Sequence, residues 1–129
     1  MTGWDSKYEM IDEEEGQMLS IEAMRGWGAN VDEALVRCLN NENFYLMLVQ
    51  KAVQDQNFDR LPEAVAAGDL DKAFDAAHAL KGVTANLALT PILKPVQEIT
   101  ELLRGRTETD YAPLLSEIHS QRESLMQLF

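Results

Sequence analysis

The sequence predicts an all-α protein: an antiparallel up-down four-helix bundle with short additional helices at its N-terminal end. Three observations carry that prediction. Apolar residues recur at three- and four-residue spacing in four substantial segments, the phase of a helix with one buried face. No segment sustains the period-2 alternation of a half-buried strand. The breaks between segments are short, as between helices that fold back on their neighbours.

Residues 1–17 contain the like-charged run Asp12-Glu13-Glu14-Glu15 and are expected to be an acidic, mobile lead-in, although Trp4, Tyr8 and Ile11 offer a side for packing a short helix. The bundle domain is expected over 18–129. Residues 18–27 suit a short helix ended by Gly26 and Gly28. Asn30-Val31-Asp32-Glu33 has the pattern of a capping box, with Asn30 accepting from the third amide and Glu33 reaching back. Val31, Ala34, Leu35, Cys38 and Leu39 then make a short amphipathic helix, which Asn40-Asn41 breaks. Asn41 can cap the next helix, whose stripe is Phe44, Tyr45, Leu48, Val49, Ala52 and Val53 and whose end is expected near Gln56.

Residues 57–62 read as an interruption. Pro62 is compatible with a first turn, so a new helix is expected from Asp59 or Arg60, or one long helix kinked here, with Leu61, Ala64 and Val65 inside and Gly68 at the end. Asp69 caps a helix expected to reach Ala88. In the next segment Thr90-Pro91 reads as a cap, but Pro95 lies too deep for an undisturbed first turn, so the regular helix is expected from Lys94. Ile92, Val96, Ile99, Leu102 and Leu103 face inward and Gly105 closes it. Asp110, with Pro113 in the first turn, opens the last helix, striped by Leu114, Leu115, Ile118, Leu125 and Phe129.

Composition narrows the function. At 129 residues the chain suits one domain that buries about two-thirds of its unfolded surface. The formal net charge of −11 disfavours nucleic acid and anionic membranes, both of which need Lys and Arg, and points to a protein partner. No apolar run approaches the length of a membrane span, and the N-terminus lacks the pattern of a secretory signal, so the expected location is cytoplasmic. A single cysteine, Cys38, forms no internal disulfide and sits on an apolar stripe, and no Cys/His cluster has zinc spacing.

The most informative stretch is 69–87, DLDKAFDAAHALKGVTANL. Wound at roughly 100° per residue, Leu70, Ala73, Ala77, Leu80, Val83 and Leu87 gather on one face. His78 then projects about 150° from the centre of that face, into solvent. Lys81 and Gly82 follow one turn on, and Ala85 keeps the same strip low. A glycine inside an exposed helix costs about 1 kcal/mol relative to alanine, a cost that close approach of another surface to His78 would offset. An accessible imidazole is largely neutral and nucleophilic at pH 7. Once phosphorylated it carries about two negative charges, and Lys81 is placed to offset part of them. Phe74, one turn before His78, is either a docking contact or the edge of the core. Asp71 and Asp75 read as solvated, His119 as background.

The string His78-Ala79-Leu80-Lys81-Gly82, followed by Val83-Thr84-Ala85-Asn86-Leu87, resembles the HxLKG…N(L) signature of histidine-containing phosphotransfer (HPt) domains in bacterial phosphorelays. Gly68-Asp69, the segment Asn41-Glu42-Asn43-Phe44-Tyr45 and residues 31–37 (VDEALVR) are also similar to family positions, so the resemblance covers roughly 30–104. It implies that His78 accepts a phosphoryl group on Nε2 from a receiver-domain aspartyl phosphate and passes it to another receiver. It implies that Lys81 stabilises the phosphohistidine and that Gly82 leaves room for the partner; Phe74, Asp75 and Ala85, placed near His78 by the helix phase, are the candidate docking residues. Asn86 matches a family position and suits packing or a hydrogen bond. No cofactor or metal is implied on this chain, Mg²⁺ being expected on the receiver alone. The implied partners are response-regulator receivers, those of hybrid sensor kinases included, met by a monomer with no ATP-dependent autokinase activity. Two departures stand out: Ala88 where many members have glycine, and the Pro91…Pro95 stretch. The alternative is an HPt-like interaction module that binds and inhibits a receiver without transferring phosphate; retention of His78, Lys81 and Gly82 together argues against it. A dimerising helical domain phosphorylated by a kinase would need a surplus apolar seam, which the stripes do not leave.

Overall fold

The computed structural model describes residues 19–129; the acidic lead-in, with Trp4, Tyr8 and Ile11, lies outside the described residues. Those residues form seven helices: α1 (Ile21–Trp27), α2 (Val31–Arg37), α3 (Glu42–Ala52), α4 (Asn57–Ala66), α5 (Leu70–Asn86), α6 (Thr90–Arg104) and α7 (Ala112–Met126). No strand occurs among them. The all-α expectation holds, and the bundle is α4 to α7. Here α5 packs on both α4 and α6, and α6 packs on α7. Arg122 of α7 closes the ring, its Nε donating to the Val53 carbonyl at 2.8 Å while its guanidinium lies 4.7 Å from the Phe58 ring centre. The short α1 and α2 pack against each other, with α1 also on α7 and α2 on α3.

Local chemistry explains most of the helix starts. Ser20, Asn30, Asn41 and Asp69 each accept a backbone N–H of the first turn with the side chain, at 3.0–3.4 Å. At Asn30 the capping box is altered. Glu33 meets the Asn30 side-chain amide at 3.1 Å, and the Asn30 backbone N–H donates instead to the Ala88 carbonyl at 3.0 Å. That bond ties the start of α2 to the turn after α5. The first helix starts at Ile21 and contains Gly26; its end is Gly28, whose φ of +119° suits glycine. A Cβ on Gly28 would also lie 3.0 Å from Pro91 Cγ, so the α1 terminus rests directly on the start of α6.

Two starts differ from the sequence expectation for one reason. The α4 helix begins at Asn57 rather than Asp59 or Arg60, and α6 at Thr90 rather than Lys94, so Pro62 and Pro95 each occupy the sixth helical position. A proline there forfeits one hydrogen bond, to the carbonyl four residues back, which is the second residue of the helix in each case. Burial offsets the loss: Phe58, Leu61, Ile92 and Pro95 are all in the core. Asp55 helps to start α4 by accepting the Asn57 N–H at 2.8 Å, and it lies just past the end of α3, which stops at Ala52 instead of reaching Gln56. Phe44, on the anticipated inner stripe of α3, is exposed, whereas Tyr45, Val49, Ala52 and Val53 are buried.

The core runs the length of the bundle. Leu61, Leu80, Ile92, Val96, Ile99 and Leu125 are essentially inaccessible, and Cys38 is buried as a free thiol. Thr84 and Thr100 are the buried polar residues among those described, and each hydroxyl donates to the carbonyl four residues back, at 2.8 and 2.6 Å. No described helix is long and apolar enough to cross a membrane.

Candidate functional site

The site is assembled on α5, a 17-residue helix that Asp69 starts and a cluster of donors finishes. Leu70 and Val83 are half-buried, and Ala73, Ala76, Ala77, Leu80 and Thr84 are buried, so the helix phase expected from the sequence is the one adopted. At the far end the buried Tyr45 hydroxyl donates to the Leu87 carbonyl at 3.0 Å. Burial, with a smaller contribution from Cys38, pushes its phenol up to about 12, so Tyr45 stays a neutral donor across the ordinary pH range. Arg37 Nη1 donates to the Ala85 and Asn86 carbonyls at 3.3 and 2.9 Å, while Glu33 holds the other arm of the same guanidinium. The Asn86 and Leu87 carbonyls are ones that a helix end leaves without backbone partners, whereas the Ala85 carbonyl also accepts the Ala88 N–H at 3.1 Å. Beyond them Ala88 adopts φ +53°, a left-handed conformation that glycine takes without strain. The departure from the family pattern at Ala88 therefore lies where a glycine would have a conformational role.

On the opposite strip His78 is exposed, as helix geometry requires. Its ring stacks on Phe74, centroids 5.6 Å apart and planes 16° from parallel. No hydrogen bond to its ring nitrogens occurs among the described residues. Phe74 is half-buried, packs on the core, and carries the Arg104 guanidinium 5.0 Å from its ring centre, so it is both an edge of the core and the platform beneath the imidazole.

Lys81 and Gly82 stand one turn beyond. Gly82 is exposed, and a Cβ built there meets nothing within 4 Å. The fold therefore does not need a glycine at this position. Lys81 Nζ lies 3.9 Å from Glu101 Oε2, and Glu101 also contacts Arg104 at 3.3 Å. Both Glu101 and Arg104 come from α6. Sequence reasoning missed them: their i,i+3 spacing was visible, but nothing local to α6 says that its outer face meets Lys81.

Asp75 is exposed one turn before His78, and Ala85 is half-buried beyond Gly82 on the same strip. Asp71 pairs with Arg106 at the N-terminal end of α5. Asn86 is exposed and engages Arg37 through its backbone carbonyl. His119 lies exposed on α7, off this strip. Among the described residues no group of three or more His, Cys, Asp or Glu could hold a metal ion.

Comparison with protein families gives a match to the Hpt domain over residues 48–127. Comparisons with curated proteins and with solved structures find no match. The matched span opens inside α3, takes in the whole α4–α7 bundle, and ends one residue past α7. It runs further toward the C-terminus than the resemblance read from the sequence, and it leaves out 31–37 and Asn41 to Tyr45. With well over half of its length matched, the chain belongs to the Hpt domain family, the phosphocarriers of two-component phosphorelays that work with response-regulator receiver domains.

Proposed function

We propose that His78 is the phosphoacceptor, taking a phosphoryl group from the aspartyl phosphate of one receiver and passing it to another. The observation that carries this reading is the open strip around it: an exposed imidazole with Lys81 one turn on and a glycine whose missing side chain would touch nothing. In the forward step the Nε2 lone pair forms a P–N bond as the P–O bond of the aspartyl phosphate breaks, and the receiver carboxylate keeps the electron pair. The reverse step delivers the phosphoryl group to the next carboxylate.

In this reading the Phe74 stack orients the imidazole, since a ring held in one plane presents Nε2 in a constant direction. Lys81 offsets the charge of the transferred group. Gly82 admits the receiver, with Phe74, Asp75 and Ala85 as neighbouring docking contacts. Mg²⁺ belongs to the receiver and supplies charge stabilisation there. The protein acts as a monomer in the cytoplasm, has no autokinase activity, and meets receivers of either free-standing regulators or hybrid kinases.

The test is transfer from a receiver loaded with radioactive phosphate to the parent protein and to His78→Gln. The parent should acquire an acid-labile label and the variant none. Tight receiver binding with no label on the parent would instead identify an inhibitory module.

A further inference from the structure

Resting on the assignment of His78 as phosphoacceptor, we infer that Glu101 sets how readily His78 gives up its phosphoryl group, by competing with the phosphohistidine for Lys81. Glu101 projects from α6 with its carboxylate 3.9 Å from Lys81 Nζ. Arg104 holds that carboxylate in place, with Nε at 3.3 and 3.4 Å from its two oxygens and Nη2 at 3.4 Å from one of them. Arg104 is itself seated over Phe74, on which His78 stacks. Imidazole, aromatic ring, guanidinium, carboxylate and ammonium thus form a continuous path that starts and ends within one turn of α5.

Charge counting shows what the carboxylate does. Lys81 and Arg104 contribute two positive charges and Glu101 removes one, so this cluster is net positive by one before phosphorylation. A phosphoryl group of about two negative charges then makes it net negative by about one. With glutamine at 101 the same cluster would end near neutrality. Lys81 cannot serve both anions at full strength, because a compact ammonium on a flexible stem goes where the negative potential is deepest. Glu101 therefore raises the free energy of the phosphorylated state relative to the free one and favours onward transfer. It is a positioning residue, acting through Lys81 on a group it does not touch. Both members of the pair are partly exposed, which limits the effect to about threefold.

The experiment measures the equilibrium partition of label between this protein and a receiver that exchanges phosphate with it. Parent, Glu101→Gln, Lys81→Met and the double variant are compared at low and high salt. Glu101→Gln should shift the partition toward phosphorylated His78 by about threefold at low salt, and the shift should fade at high salt. Glu101→Asp should restore part of the parental value. In the Lys81→Met background the Glu101→Gln shift should largely vanish, which a merely structural role of Glu101 would not produce. A labelled parent whose partition is unchanged by Glu101→Gln, or is shifted equally with and without Lys81, overturns the inference and leaves the phosphoacceptor assignment intact. No label on the parent overturns both.

Discussion

At the C-terminal end of α5 the Tyr45 hydroxyl, the Arg37 guanidinium and the Asn30 amide all donate to carbonyls between Ala85 and Ala88. On the outer strip of the same helix His78 is steadied by a ring stack and Lys81 by one long ion pair. The first region fixes backbone; the second leaves side chains free. A transfer reaction needs both, because the Cα of a nucleophile must be stationary while its ring nitrogen stays unencumbered. Strong hydrogen bonds to the imidazole would orient it better but would occupy the nitrogen proposed to react. Stacking avoids that conflict by holding the ring through its face.

Substitutions on the two regions should therefore separate function from stability. The largest effect is expected at Gly82. Gly82→Leu should slow transfer by more than about tenfold, since a displaced partner loses alignment steeply. Its melting temperature should hold or rise, because leucine is the better helix former by most of 1 kcal/mol and its Cβ enters open space. Stopped-flow transfer alongside thermal melts would check this, and undiminished transfer would break the contrast between the regions.

Tyr45→Phe should do the reverse. It leaves the Leu87 carbonyl without its buried donor and should cost about 1–2 kcal/mol by urea unfolding. A pH signature accompanies it. The folded phenol is held up at about 12 against an ordinary value of 10.0, so the neutral form is favoured in the folded state. The associated stability is present below pH 10 and is lost as the pH rises toward about 12. The parent should lose up to about 2 kcal/mol over that interval, and the variant should lack this component.

The smallest effect is expected at Ala88. Relief of the left-handed backbone should outweigh the loss of one buried methyl group, so Ala88→Gly should stabilise by about 0.5 kcal/mol and leave transfer alone. Lower stability would show that the methyl packing dominates there.

How much of this was legible in the sequence follows from the range over which each feature is determined. His78, Lys81 and Gly82 share one helix, and helix phase alone places His78 and Gly82 on the outer strip away from Leu80, with Lys81 on its flank. Asn41 and Asp69 declared their caps in the same local way. Glu101 and Arg104 were not legible as part of the site, because the register between α5 and α6 is a property of the shared core, to which Leu80, Ile92, Val96 and Ile99 belong. The starts of α4 and α6 were misplaced because Pro62 and Pro95 argue locally against helix, whereas the burial that overrides them is a property of the whole bundle. The capping role of Asp55 was hidden by the expectation that α3 continued past it.

Arg122 gives the chain's last helix a duty far from its own position. Its bond to the Val53 carbonyl spans 69 residues, and its guanidinium covers one face of Phe58. The joint between α3 and α4 is thus held by a side chain from α7. Loss of that one side chain would loosen a joint distant from it in sequence, so the α3–α4 turn reports on whether α7 is docked.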